Sequence, residues 1–124
     1  MNECLTYFAV YFKDEFDLRD FCERLGLKEE QIRPLIKKNK IEIGKNENYN
    51  VDINEMLRET LKDLFGKEDV LFQLKEDYNL EYYLVRVPYL SADAINPILS
   101  LDRDIIEFLY LTTAEDELDY YVCD

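Results

Sequence analysis

The spacing of apolar residues along the chain predicts a strand followed by a helix at its start. Residues 5–12 are rich in aromatic and β-branched types, which is typical of a buried strand. Asp17 then offers a helix N-cap, and Gly26 lies where a C-terminal cap belongs. Between them, apolar residues repeat with the i, i+3, i+4, i+7 spacing of one helical face. These are Leu18, Phe21, Cys22 and Leu25.

The middle of the chain predicts a second long helix after a segment of mixed character. In residues 28–50, Pro34 interrupts a helical pattern, while Ile41 and Ile43 alternate like a short strand. A long helix follows, capped by Asn50 or Asp52 and stopped by Gly66. Its apolar face is formed by Ile53, Met56, Leu57, Leu61 and Leu64. Both helices are amphipathic, so each is expected to lie on a sheet.

The second half of the chain has three further segments with the composition of strands. Residues 70–74 and 80–87 are joined by a short polar connection, which predicts a hairpin. A short helix is expected from Ser91, and Pro97 follows in an N1 position. Residues 105–112 then predict a last strong strand.

This order of elements indicates an α+β fold, in which helices pack on one face of a mostly antiparallel sheet. The 124 residues are 48% hydrophobic, which is enough for one core without disulfides or metals. We therefore expect a single domain over residues 1–124, with an acidic C-terminal segment of about residues 113–124.

Composition argues against an enzyme. The chain contains no histidine, which is the usual general base and a common metal ligand near neutral pH. The three cysteines therefore lack a histidine partner, and the three glycines do not form a phosphate-binding run. No acidic cluster matches the calcium-loop pattern. We expect no catalytic residues, no metal and no cofactor.

The charge of the chain favours a basic protein partner. The formal net charge is -13, and residues 91–124 contribute 9 acids against 1 base, or -8 of it. Such a surface repels nucleic acid phosphates and anionic lipids, whereas it speeds encounter with a basic protein. The N-terminus lacks a secretory signal, no apolar run reaches membrane-spanning length, and the cysteines show no paired spacing. A cytoplasmic location is therefore expected.

The front of the chain resembles a known family. An aromatic strand leads into the capped helix of residues 16–27, FDLRDFCERLGL, which ends in a Leu-Gly-Leu turn. In these features, and in the Ser-led segment of residues 91–95, the chain is similar to the bacterial family catalogued as domain of unknown function 4279 (DUF4279). The resemblance implies a small cytoplasmic α+β protein without known catalytic residues, of a type suspected of acting as immunity proteins beside secreted toxins.

The candidate partner-binding residues lie in the C-terminal part of the chain, where Tyr110 and other tyrosines are interleaved with acids. They are Asp102, Asp104, Glu107, Glu115, Asp116, Glu117, Asp119, Tyr120 and Tyr121. Tyrosine supplies contact area, and carboxylates match lysine and arginine on a partner. The same charges also fit a solvated, solubilising tail.

Two functions follow from these observations. The first is an immunity protein that blocks a cognate toxin, such as a basic nuclease, by steric and electrostatic occlusion. The alternative is a non-enzymatic structural or regulatory protein that self-associates or serves as an adaptor. A basic cluster between Arg33 and Lys45, with 5 bases against 1 acid, fits a solvated loop, or else contact with an acidic partner or another copy of the chain.

Overall fold

The computed structural model describes residues 3–49, 52–91, 100–119 and 121–123. The strands are β1 (Glu3–Tyr11), β2 (Ile32–Leu35), β3 (Lys40–Tyr49), β4 (Glu81–Ser91), β5 (Glu115–Leu118) and β6 (Tyr121–Cys123). The helices are α1 (Leu18–Leu25), α2 (Ile53–Leu61), α3 (Glu68–Tyr78) and α4 (Arg103–Thr112). Two short 3-10 turns, Glu29–Gln31 and Ile36–Lys38, flank β2.

One sheet in the order β2-β3-β1-β4-β5 contains all the described strands, with β6 paired to β4 beyond the end of β5. β1 lies in the middle and is antiparallel to both β3 and β4. β2 is antiparallel to β3, while β5 and β6 are parallel to β4. The predicted α+β class with a mostly antiparallel sheet is confirmed.

The main core lies between one face of this sheet and the four helices. Phe8 of β1, Ile43 of β3 and Leu84 of β4 are fully or almost fully buried there. Each helix adds apolar side chains to the same cluster, among them Phe21, Leu57, Leu71 and Phe108. The helices therefore cover one face of the sheet, as predicted. Among the described residues, no helix has the length and apolar character needed to cross a membrane.

The two helices predicted from caps and apolar spacing are confirmed, but α2 ends at Leu61 and not at Gly66 as predicted. Asp17 Oδ1 accepts a hydrogen bond of 3.0 Å from the backbone N–H of Asp20, and Gly26 closes α1 in the left-handed conformation at φ 69°. Asp52 caps α2 in the same way, since its Oδ1 accepts from the N–H of Asn54 at 2.8 Å. Short polar caps thus fixed both helix starts. Pro34 lies in the edge strand β2, where a proline is tolerated because its missing N–H need not donate a hydrogen bond to a neighbouring strand.

Two predictions of strands were wrong. Residues 70–74 belong to α3, and residues 105–112 belong to α4. In both segments the β-branched and aromatic content suggested a strand, but the buried residues follow helical spacing. They are Leu71 and Leu74 in α3, and Ile105, Phe108 and Thr112 in α4. The predicted hairpin is absent, because β4 pairs with β1 instead.

The predicted short helix after Ser91 is not tested over most of its length. Ser91 itself is the last residue of β4, so the helix does not begin there. Residues 92–99, which include Pro97, lie outside the described residues.

A bulge in β3 brings the sheet close to α2. Thr6 pairs with Asn46 and Phe8 with Ile43, so Gly44 and Lys45 both lie opposite Tyr7. Gly44 has φ 66°, and a Cβ atom built on it would lie 2.0 Å from the carbonyl oxygen of Thr60 in α2. Glycine is therefore required at this position for both its conformation and its size.

A buried pair of hydroxyl groups lies at the same contact between the sheet and α2. Thr6 Oγ1 and Thr60 Oγ1 are 2.7 Å apart, and both side chains are fully or almost fully buried. A double-mutant cycle is expected to show strong coupling. Thr6→Val and Thr60→Val should each lower the free energy of unfolding by about 1–3 kcal/mol, because each leaves one buried hydroxyl unpaired. The double variant should cost clearly less than their sum, since neither hydroxyl remains. Urea denaturation measures all three, and strictly additive losses would contradict the coupling.

Candidate functional site

The acidic residues at the start of α4 are engaged within the protein. Arg58 of α2 donates from Nε to Asp104 Oδ2 at 2.8 Å and from its second terminal nitrogen to Asp104 Oδ1 at 3.1 Å. The same nitrogen also donates to Asp102 Oδ2. Hydrogen bonds from Arg58 hold the pKa of Asp104 below its usual range, and the two carboxylates raise the pKa of Arg58. Asp102 and Asp104 therefore serve to join α4 to α2.

The acidic residues of β5 point to both sides of the sheet. Asp116 faces the helices and forms a two-bond contact with Arg86 of β4, with Nε to Oδ1 at 3.2 Å and a terminal nitrogen to Oδ2 at 2.7 Å. Only 3% of the Arg86 side chain is exposed, so Asp116 balances a buried charge. Glu115 and Glu117 are exposed and lie beside Tyr83 and Val85.

The last three candidates, Asp119, Tyr120 and Tyr121, follow β5 in the sequence. The backbone N–H of Asp119 donates to the Arg86 carbonyl oxygen at 3.0 Å, which continues the attachment to β4 beyond β5. Tyr120 lies outside the described residues, and the Tyr121 side chain is likewise not described, although its backbone belongs to β6. The structure thus divides the predicted acidic surface into an α4 group and a β5 group.

An exposed apolar stripe runs along the outer side of α4. Ile106 is 52% exposed, Tyr110 is 80% exposed and Leu111 is 44% exposed. Ile106 and Tyr110 are four residues apart, as are the exposed Glu107 and Leu111, so the two pairs form neighbouring rows on one helix. We call these four residues the α4 stripe. Solvated apolar groups beside a carboxylate have the composition of a protein-binding surface.

The α4 stripe is held on a rigid base. Phe108, on the buried side of the helix, makes edge contacts with Phe8 of β1 and Phe65, with ring centroids 5.9 Å and 5.5 Å apart. The helix ends at Thr112, and the next residue, Thr113, caps it in the left-handed conformation at φ 56°. Lys75 of α3 donates to the Thr113 carbonyl oxygen at 3.0 Å. A surface on such a base presents its side chains at little entropic cost.

Sequence reasoning found Glu107 and Tyr110 but missed the stripe as a unit. In a strand, the alternation of side chains would put residues 106 and 107 on opposite faces. In the helix, Ile106 and Tyr110 lie one above the other, with Glu107 and Leu111 beside them. The signal that could have revealed this was the spacing of the buried residues, which reads i, i+3, i+7 from Ile105.

The sheet has a second apolar cluster on the face away from the helices. We call this the tyrosine face; it consists of Leu5, Tyr7, Ala9, Tyr11, Tyr83, Val85, Val87 and Tyr89. All eight residues belong to β1 or β4, and the four tyrosines and Leu5 are only partly buried. At its β3 border, Lys40 Nζ donates to the Tyr7 hydroxyl at 3.1 Å and lies 4.6 Å from the Tyr7 ring centroid.

Two cysteine thiols, Cys4 and Cys22, are buried in the described part of the chain. Burial raises the pKa of the Cys4 thiol to about 11 and also raises that of Cys22, so both stay protonated and weakly nucleophilic near neutral pH. Within the described ranges, no group of three acidic or cysteine side chains is placed to hold a metal ion. An open groove between α1 and β2 is lined by Leu18, Cys22 and Pro34, with acidic and basic residues of α1 at its border.

Comparison with known proteins identifies a family. Neither a curated protein nor a solved structure matches the chain. The family model described as Domain of unknown function (DUF4279) matches residues 2–123, which is nearly the whole sequence. The match covers every described strand and helix, including the α4 stripe and the tyrosine face. The chain therefore belongs to the DUF4279 family.

Proposed function

We propose that this protein is a non-catalytic binding protein that occludes a basic protein partner through the α4 stripe. In its most specific form, the partner is a toxin, for example a basic nuclease, and the protein is its cytoplasmic immunity protein. The observation that carries the proposal is the exposure of Ile106, Tyr110 and Leu111 on one helix within the most acidic part of the chain.

The apolar residues of the α4 stripe are expected to provide most of the binding energy for the partner. Exposed large apolar side chains are normal singly, but three on adjacent turns of one helix form a patch. Tyrosine is favoured at the centre of interfaces, since its ring buries a large area with few rotatable bonds and its hydroxyl still finds a hydrogen bond. Tyr110 is the most exposed of the three, so it is the expected anchor.

The charges around the α4 stripe favour a basic protein as the partner. Residues 102–119 contain 7 acids against 1 base, or -6. Asp102, Asp104 and Asp116 are paired with arginines of the protein, whereas Glu107, Glu115 and Glu117 are exposed. Exposed carboxylates steer a basic partner and raise the association rate, and their effect weakens with salt. Blockade of this kind needs no reacting group.

Capture from the native host with matched variants tests this function. The tagged wild type is expected to retain one basic protein that salt releases. The variant Glu107→Lys/Tyr110→Ala should retain at most about 10% as much, because it loses contact area and reverses a charge. A tenfold loss of affinity corresponds to roughly 1.4 kcal/mol. Phe72→Ala/Glu76→Lys makes the same changes on the exposed side of α3 and should bind normally. Equal capture by all three proteins would contradict the proposed surface.

The inhibitory part of the proposal has its own test. The captured protein is expected to be active once salt has separated it, and inactive after addition of one equivalent of wild type in low salt. The stripe variant should restore no inhibition at the same concentration. A partner that stays fully active in the complex would support an adaptor instead.

A further inference from the structure

One row of side chains crosses the whole sheet on the tyrosine face. The strand pairings place Arg33 beside Glu42, Glu42 beside Ala9, Ala9 beside Tyr83, and Tyr83 beside Glu115. Directly paired residues project to the same side of a sheet, and Ala9 and Tyr83 belong to the tyrosine face. The row therefore reads positive, negative, small, tyrosine, negative, from one edge of the sheet to the other.

One carboxylate oxygen of Glu42 in this row lacks a hydrogen bond. Its residue is only 7% exposed, and its Oε1 atom has no hydrogen-bond donor among the described residues. Lys40 Nζ lies 3.1 Å from Oε2, while the nearest nitrogen of Arg33 is 3.5 Å from Oε1. A buried carboxylate oxygen without a donor is costly, and a hydroxyl or N–H from outside would relieve that cost.

We propose that the tyrosine face binds a second copy of this chain through a two-fold axis parallel to β1. Because β1 is the middle strand, this rotation places β1 over β1 of the second copy. It likewise places β3 over the second copy's β4 and β2 over the second copy's β5. Arg33 then faces the second copy's Glu115, and Tyr83 faces the second copy's Glu42. The Tyr83 hydroxyl, which donates to Glu81 Oε2 at 3.1 Å within its own copy, is thereby placed where it can exchange that partner for the Glu42 Oε1 atom that lacks a donor.

The neighbouring row has the same complementarity. Tyr11 is paired with Lys40 on one side and Glu81 on the other. The same rotation places Tyr11 on the second copy's Tyr11 and Lys40 opposite the second copy's Glu81. An axis perpendicular to the strands would instead place Arg33 near Arg33 and Glu115 near Glu115. Charge thus selects the axis parallel to the strands.

The size of the face predicts a reversible dimer. From the spacing between strands and the rise per residue, the tyrosine face together with its charged border measures roughly 20 Å by 20 Å. Stacked sheets with nearly aligned strands are a common packing. An area of this size is at the small end for specific interfaces, so we expect a dissociation constant in the micromolar range rather than a permanent dimer. The dimer does not involve the α4 stripe and does not depend on the proposed function.

Analytical ultracentrifugation of the purified chain over a wide concentration range tests the dimer. Arg33→Glu and Glu115→Lys should each weaken dimerisation by roughly tenfold or more, because each creates two like-charge contacts per dimer. Arg33→Glu also replaces the 3.5 Å contact of Arg33 with Glu42 in its own chain by a like-charge pair. Glu115→Lys is the sharper variant, since it lowers the net negative charge and would strengthen any non-specific association. Arg33→Glu/Glu115→Lys restores opposite charges and should recover the dimer.

Matched controls separate this inference from other effects. Arg19→Glu and Glu76→Lys change the charge equally on exposed helix positions and should leave the dimer unchanged. Glu107→Lys/Tyr110→Ala should also dimerise normally, although it loses the basic partner. A wild type that is monomeric at every concentration, or a double variant that fails to recover the dimer, would overturn the proposal, whatever the result for the α4 stripe.

Discussion

Gly44→Ala is expected to lower the free energy of unfolding by about 2–5 kcal/mol, one of the two largest single-residue losses predicted for this protein. A left-handed conformation costs a residue with a Cβ atom about 1–2 kcal/mol, and overpacking of a close contact costs a further 1–3 kcal/mol or so. Both apply here, because Gly44 has φ 66° and the new Cβ would lie 2.0 Å from the Thr60 carbonyl oxygen. Urea denaturation followed by circular dichroism measures the loss.

Gly66→Ala is the matched control. Gly66 also has a positive φ, 86°, but a Cβ atom there meets no other atom within 4 Å among the described residues. Only the conformational cost applies, so the expected loss is about 1–2 kcal/mol. Equal losses for the two variants would show that α2 does not approach β3 as closely as the structure indicates.

Asp116→Ala is expected to lower the free energy of unfolding by about 3–5 kcal/mol, because it removes the carboxylate that makes a two-bond contact with the buried Arg86. A domain of this size has a total stability of only about 5–15 kcal/mol, so the variant should be partly unfolded at moderate temperature. Glu117→Ala, one residue away, is exposed and should change stability by at most about 0.5 kcal/mol. Thermal unfolding of both variants is the measurement; similar melting temperatures would contradict the buried pair.

This result changes how the acidic residues are interpreted. From the sequence, Asp116 and Glu117 are equivalent members of one acidic run. In the structure, successive side chains of β5 point to opposite faces of the sheet, so Asp116 faces the helices and Glu117 lies on the side of the tyrosine face. A loss of binding by an Asp116 variant would therefore report loss of structure, whereas Glu107 and Glu117 can be changed without that effect.

The parts of the fold that the sequence predicted depend on local signals. Asp17, Asp52 and Gly26 act within a few residues of their positions, so caps and apolar spacing located α1 and α2. β1 was predictable because its aromatic run is flanked by polar residues on both sides. The α+β class followed from those elements.

The parts that the sequence did not predict depend on tertiary context. The intrinsic preferences of residues 70–74 and 105–112 favour strands, but burial of Leu71 and Phe108 against the sheet stabilises helices. That error hid the α4 stripe. The pairing of Arg58 with Asp104 joins residues 46 positions apart, so no local pattern could reveal that this carboxylate is engaged.

The central claim, that the α4 stripe binds a protein partner, is tested most directly by site-specific photo-cross-linking in the native host. A photoreactive phenylalanine analogue at position 110 is expected to give one discrete adduct, with the mass of this chain plus its partner. The same analogue at position 72, which is also an exposed aromatic site, should give none. No adduct from position 110, or equal adducts from both positions, would contradict the claim.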